Sequence, residues 1–468
     1  MKGLRGNMRL IGALILCLFV FVGGWFGYTT WTQGSRWAMS SRNTRLTSAR
    51  NSVVMGSITD RDGYALAWTD ADGVRRYSGD NSIRLSVSQT VGDTMSMSGT
   101  GVQTFFASTL VGMSGSIIDR TWQWLNGETT RGDDIQLTID ARLSSVVAQN
   151  FPAGCEGAVV VINYKTGEIL AMVSMPEYDP ADIGAPVADT AYFNRCLQGQ
   201  YTPGSTFKIV TLASALENLP GALNHVFTCS GSHEFGNGVV TCLSGTKAHG
   251  QLDLKGAFTQ SCNVAFATLS YELGQNALLR TAEAFGFNDD VTFSDVMLYA
   301  SSFPDDIGSV SELAWSGVGQ GRVLATPLHM AMIAGGVANG GVVMEPKLIR
   351  QVTGGSTGLP RLRVTPGVYR RIMSASTAVI VGEYMRGAVE YGTGTRAAIP
   401  GYVVCGKTGS AEVSDDKSVD TNAWFVGYLQ DDRYPYAVSV VLERAGSGGN
   451  LAATLAAKAL SEAIELVG

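Results

Sequence analysis

The stretch Tyr201-Thr-Pro-Gly-Ser-Thr-Phe-Lys208 decides how the rest of this chain reads. A helix begun after Pro203 and Gly204 would place the Ser205 hydroxyl and the Lys208 amine on one face, one turn apart. Such a lysine can take the serine proton if burial keeps it neutral, because an exposed ammonium is no base. Ile209, Val210, Leu212 and Ala213 continue an apolar run that predicts this burial. The helix N-terminus would also favour negative charge developing at Ser205. The serine then becomes a nucleophile without a histidine.

Taken alone, the spacing is weak evidence, since Ser244-Gly-Thr-Lys247 and Ser414-Asp-Asp-Lys417 share it in polar stretches that read as loops. Two further motifs separate the first match from these. Ser261-Cys-Asn263 and Lys407-Thr-Gly409 follow Ser205 in chain order, and each has a counterpart in a less suitable place. Ser41-Arg-Asn43 lies beside the N-terminal apolar run, and Lys165-Thr-Gly167 reads as the turn of a hairpin, where glycine supplies a positive φ. The order Ser-x-x-Lys, Ser-x-Asn, Lys-Thr-Gly is similar to that of penicillin-binding proteins and β-lactamases.

The chain has 468 residues, enough for two or three domains, with a net charge of −6 and no basic footprint for nucleic acid. Charged residues make up 16%, against about 25% in an average soluble protein. Part of that deficit lies in Leu10 to Tyr28, almost wholly apolar and long enough to cross a bilayer. Lys2, Arg5 and Arg9 precede it, which predicts residues 1–9 in the cytoplasm, an anchor over 10–30 and everything after about residue 30 outside the cell. The run is longer than a usual signal-peptide core and no Ala-x-Ala site follows, so an uncleaved single-pass anchor is expected.

Residues 36–135 are rich in Ser, Thr and Gly, with short β-type runs such as Ser57-Ile-Thr and Ile83-Arg-Leu-Ser-Val, and predict a small β-rich juxtamembrane region. The strand Asp133 to Asp140 and a helix from about Ala141 lead into the catalytic domain, expected over 150–468. Strands are predicted at Gly157–Asn163 and Glu168–Ser174, and again at Tyr402–Cys405, Ala423–Tyr428 and Tyr436–Leu442, with helices between. Leu451 to Val467 reads as an amphipathic terminal helix. The expectation is an α+β fold in which one antiparallel sheet, closed by both chain ends, packs against helices.

With these motifs the chain resembles a class B penicillin-binding protein, a peptidoglycan D,D-transpeptidase with a serine β-lactamase-like fold. Ser57-Ile-Thr-Asp-Arg-Asp-Gly-Tyr-Ala-Leu-Ala67, Leu170-Ala-Met-Val-Ser-Met-Pro176, Gly319-Gln-Gly321 and Thr326-Pro-Leu-His-Met-Ala331 are similar to the family's segments. The region between anchor and transpeptidase is short, resembling the elongation or sporulation type, and has no room for a glycosyltransferase domain. The resemblance implies that Ser205 attacks the penultimate D-Ala carbonyl of a stem peptide, with Lys208 as base. Ser261 would relay the proton to the leaving amine, and Asn263 would hold Lys208 and the substrate amide. Lys407 and Thr408 would bind the terminal carboxylate, Gly409 would permit close approach, and the N–H groups of Ser205 and Ser410 would form the oxyanion hole. It further implies acylation by β-lactams, no cofactor for the chemistry, and a SEDS-type membrane glycosyltransferase as partner. A β-lactamase would need a deacylating acid, which the sequence does not reveal, and a penicillin sensor would need more than about nine cytoplasmic residues.

Six cysteines follow the apolar segment, an even number that permits disulfides outside the cell. Cys229, Cys242, His249 and Cys262 form a Cys3His set suited to a structural zinc ion. A Cys229–Cys242 disulfide and unpaired thiols are the competing readings. Because Cys262 lies inside Ser261-Cys-Asn263, any such site would brace the active-site loop.

Overall fold

The catalytic part is organised by a five-stranded antiparallel sheet whose order is Val404–Ala411, Asn422–Leu429, Tyr436–Leu442, Gly157–Asn163 and Ile169–Met175. The first two strands of the domain thus pair with the last three, as the strand pattern predicts. The computed structural model describes residues 2–38, 53–113, 131–242, 248–290, 293–413 and 420–467.

The continuous apolar run Gly157–Asn163 has a simple cause, since both faces of its strand are covered. Val159 and Val161 point into a core shared with Leu143 and Val147 of the helix Ala141–Gln149 and with Leu455, Ala456 and Leu460 of the helix Leu451–Val467. Val160 and Ile162 point the other way, into the larger core that holds Leu328, Met332 and the helix Pro327–Ala338. That second layer also carries the helices Lys208–Asn218 and Asn263–Phe285. The site therefore lies where the edge strand Val404–Ala411 meets this helical layer.

The N-terminal helix runs from Lys2 to Ala38, and its segment Ile11–Thr29 is long and apolar enough to cross a membrane. Ile58–Thr59 and Ala65–Thr69 then form a hairpin. Buried Asp60 accepts the N–H groups of Asp62 and Tyr64 through Oδ1 and that of Ala141 through Oδ2. One carboxylate thereby shapes the turn and ties it to the first helix of the catalytic part.

One predicted strand is corrected. Ile83 to Val87 is read from the sequence as β-type, but Asn81–Ser86 is helical, its start capped by Asp80, whose side chain accepts the N–H groups of Ser82 and Ile83. Ile83 and Val87 lie four apart and are both buried, so the run satisfies a helix face as well as a strand. Three further short helices follow, Ser88–Val91, Val102–Phe105 and Ala107–Leu110, so among its described residues the region expected to be β-rich is mixed.

Candidate active site

Gly204–Phe207 is a single 3-10 turn that passes directly into the helix Lys208–Asn218. The turn depends on glycine, because Gly204 has φ +54° and its Cα side packs 3.1 Å, at the Cβ position, from the Ser410 carbonyl. Its N–H donates to the Gly319 carbonyl at 2.9 Å. A side chain on Gly319, itself at φ +84°, would collide with the Gly204 carbonyl. The Gly319-Gln-Gly321 segment therefore supports the nucleophile turn through bare backbone.

Lys208 is fully buried, and its amine donates to the Ser261 carbonyl at 2.8 Å and to Asn263 Oδ1 at 2.7 Å. Burial lowers its pKa to about 7, against smaller opposing pulls from the Cys262 and Cys242 thiols. A neutral amine has two N–H donors and one lone pair. Here two carbonyl-type acceptors can take both donors, leaving the lone pair free to receive a proton. Among the described residues no hydrogen bond is formed by the Ser205 hydroxyl, and contacts of this kind often tighten only when substrate binds.

Ser261 joins the two lysines. Its hydroxyl lies 3.3 Å from Lys208 Nζ and 2.9 Å from Lys407 Nζ. It is one of few non-glycine residues at positive φ, +56°, a conformation that costs about 1–3 kcal/mol and persists only where the surroundings enforce it. Lys407 is also fully buried, with Nζ donating to the Thr408 carbonyl at 3.0 Å, and its pKa lies well below the ordinary range because of burial and then the nearby Lys208 charge. The rings of Phe266 and Phe258 lie 5.4 and 5.7 Å from the two amines.

Gly409 lies against the nucleophile segment, where a Cβ would come within 2.8 Å of the Pro203 carbonyl. Ser410 Oγ accepts the Gly448 N–H at 3.3 Å. Thr408 Oγ1 is 2.6 Å from Thr393 Oγ1. All eight predicted catalytic and substrate-binding positions, from Ser205 to Ser410, thus converge on one strand edge and two helix starts. Lys165-Thr-Gly167 is the turn between Gly157–Asn163 and Ile169–Met175, while Ser41-Arg-Asn43, Ser244 to Lys247 and Ser414 to Lys417 lie outside the described residues.

The four expected metal ligands also meet. Cys229 Sγ is 3.6 Å from Cys242 Sγ and 3.4 Å from His249 Nδ1, and Cys242 Sγ is 3.8 Å from Cys262 Sγ. All four ligand atoms lie within 4.8 Å of one another. A disulfide needs about 2.05 Å, so the Cys229–Cys242 bond is not formed. Zn–S bonds of about 2.3 Å in a tetrahedron would separate the sulfurs by about 3.8 Å, which fits this set. Hydrogen bonds from its neighbours hold the Cys242 thiol well below its usual range, and that charge together with burial pushes Cys262 up.

Sequence reasoning does not reveal the brace behind Tyr201. Its hydroxyl donates to Glu443 Oε1 at 2.7 Å, and buried Arg195 holds the same oxygen at 2.7 Å while also reaching Glu156. The Trp424 indole donates to the Thr202 carbonyl at 3.1 Å. Arg195 and Glu443 are 248 residues apart, and no local pattern connects them. By contrast His329, within the Thr326 to Ala331 segment, is a core residue. It sits between Ser301 Oγ at 2.7 Å and the Phe285 carbonyl at 2.9 Å, with burial lowering its pKa to about 4.

Fold and site together define the serine acyl-transferase class that carries these three motifs. Residues 157–461 match the penicillin binding protein transpeptidase domain. The chain is 31% identical over 378 residues to peptidoglycan D,D-transpeptidase PbpA of Mycobacterium tuberculosis, covering 74% of this chain and 75% of that protein. Its fold is similar to the D,D-transpeptidase domain of a peptidoglycan glycosyltransferase from Eggerthella lenta, with TM-score 0.78, 32% identity, and coverage of 89% of this chain and 99% of that one. It is also similar to penicillin-binding protein A of M. tuberculosis in its penicillin G acyl-enzyme complex, with TM-score 0.78, 27% identity, and coverage of 88% and 100%. The chain belongs to the penicillin-binding protein transpeptidase family, in its class B branch.

Proposed function

We propose that this chain is a serine D,D-transpeptidase that crosslinks peptidoglycan stem peptides through an acyl-Ser205 intermediate. Ser205 attacks the carbonyl of the penultimate D-Ala and passes its proton to Lys208. The Ser205–carbonyl bond forms, the bond to terminal D-Ala breaks, and Ser261 relays a proton to the departing amine. An amine from a neighbouring stem peptide then takes the acyl group and regenerates Ser205. The N–H groups of Ser205 and Ser410 face the developing oxyanion in this reading, each donor contributing about 2.7–4 kcal/mol. Lys407 and Thr408 bind the terminal carboxylate, and Asn263 holds Lys208 and the substrate amide. β-Lactams acylate the same serine because their strained amide mimics the D-Ala-D-Ala end.

The observation that carries this reading is the buried Lys208 amine, held between Ser261 and Asn263 with its pKa near 7. Labelled penicillin should mark the wild-type protein covalently and leave Ser205→Ala unmarked. Equal labelling of the two would refute the assignment.

The anchor at 10–30, juxtamembrane region at 36–135 and catalytic domain at 150–468 place the chemistry outside the cell membrane in this proposal. The long apolar helix and the preceding Lys2, Arg5 and Arg9 support it. The family resemblance supports a SEDS-type glycosyltransferase as partner, and failure of the two proteins to crosslink in the membrane would count against it. A structural zinc at Cys229, Cys242, His249 and Cys262 is supported by the sulfur spacing. Purified protein with no bound zinc and with two thiols missing from a thiol titration would exclude that role.

A further inference from the structure

The segment Tyr391-Gly-Thr-Gly-Thr395 is not among the recognised motifs, yet it touches two of them. The Thr393 N–H donates to the carbonyl of Thr259, the last residue of the helix Leu254–Thr259 that leads into Ser261. Its hydroxyl lies 2.6 Å from that of Thr408. On the far side, a Cβ on Gly449 would come within 2.6 Å of the Thr393 carbonyl, and one on Gly392 would collide with the Thr259 carbonyl. The backbone of Thr393 is thereby clamped between the helix that leads into Ser261 and the loop after the last strand.

Burial separates the two hydroxyls. Thr408 is 6% exposed, whereas Thr393 is open to solvent. Each hydroxyl has one proton, so in the free enzyme one of the pair donates to the other. A carboxylate is an acceptor only, with two oxygens, and can receive both protons at once. Lys407, which donates to the Thr408 carbonyl, brings a cationic or proton-bearing amine to the same end of the site.

We propose that Thr393 is a substrate-binding residue, giving the ligand's terminal carboxylate a second hydroxyl donor beside Thr408. It would thereby set the preference for carboxylate-ended donors. The inference rests on the reading of Thr408 under the proposed function. A hydrogen bond to a charged group contributes enough for a roughly 10- to 100-fold difference in rate constant.

The test uses the full chain and two N-acyl-D-alanyl thioesters, one releasing a thiol that carries a carboxylate and the other releasing its methyl ester. Thr393→Val should lower kcat/KM for the carboxylate thioester about 10- to 100-fold and leave the methyl ester nearly unchanged. Thr393→Ser, which keeps the hydroxyl, should restore most of the carboxylate rate. Equal loss on both thioesters, or no loss on either, would overturn the proposal. If the valine variant has a lowered melting temperature, Thr393→Ala takes its place and the same ratio decides. Ser205→Ala serves as a separate arm: thioester turnover that persists in it would sink the transpeptidase reading itself, independently of Thr393.

Discussion

Lys-Thr-Gly occurs twice in this chain, and the two copies share only their residues. At 165–167 it is a hairpin turn: Asn163 Oδ1 accepts the N–H groups of Lys165 and Thr166, and the Lys165 amine lies 3.9 Å from Asp432 in the open. At 407–409 it is an edge strand, fully paired with Phe425 and its neighbours, and the lysine has no solvent exposure. Glycine has a different duty in each. Gly167 is needed both for its φ of +81° and for the space beside the Glu345 carbonyl packed against the turn, while Gly409, on an extended strand, is needed for the space beside the Pro203 carbonyl of the nucleophile segment. A tripeptide thus becomes chemical only when a core removes its amine from water and a second buried amine stands nearby.

Substitutions at the amines should show the widest separation. Lys208→Ala should slow acylation by labelled penicillin by about 10²–10⁴-fold, the usual worth of a positioned base. Lys407→Ala should slow it by about 10²–10³-fold, while Lys165→Ala should stay within about twofold, as exposed positions do. Comparable losses for Lys165 and Lys407 would erase the contrast.

The glycines sharpen it. Gly409→Ala should lower the acylation rate by about tenfold or more by pushing the strand from the nucleophile turn, with little change in melting temperature. Gly167→Ala should do the reverse, costing at least about 1–3 kcal/mol of stability through its positive φ, with the collision of a Cβ with the Glu345 carbonyl added, while folded protein acylates normally.

A smaller effect is the pH profile. The Lys208 amine is protonated below its pKa of about 7 and cannot accept the Ser205 proton there. Acylation should therefore rise from about pH 6 to about pH 8 in wild type and in Lys165→Ala alike. A flat profile in stopped-flow labelling would contradict a lysine base. Smallest of all, chelation of the proposed zinc should slow labelling by loosening Cys262, and with it Ser261, while leaving the distant Lys165 turn unaffected. Unchanged labelling after verified metal loss would confine the cluster to no role at the site.

Much of this was legible in the chain because the signals are local. The strands Gly157–Asn163 and Tyr436–Leu442, the terminal helix Leu451–Val467 and the helix start after Pro203 follow from apolar runs and from glycine and proline placement. Ile83 to Val87 fits two periods because its apolar residues at 83, 85 and 87 alternate as in a strand while 83 and 87 also share a helix face, and the Asp80 cap decides for the helix. The Arg195–Glu443–Tyr201 brace and the Thr393–Thr408 pair left no trace, since each links residues with no common period or motif.

By itself the sequence determined the order of three motifs, the long apolar run near the N-terminus, the strands that meet from both chain ends and the cysteine set near Ser261. Only the tertiary structure decided which Lys-Thr-Gly is buried, how far the Lys208 pKa falls, and that Cys229 and Cys242 are close but unbonded. The reason is physical: periodicity and turn chemistry act over a few residues, whereas desolvation and the meeting of two buried amines depend on every element packed around them.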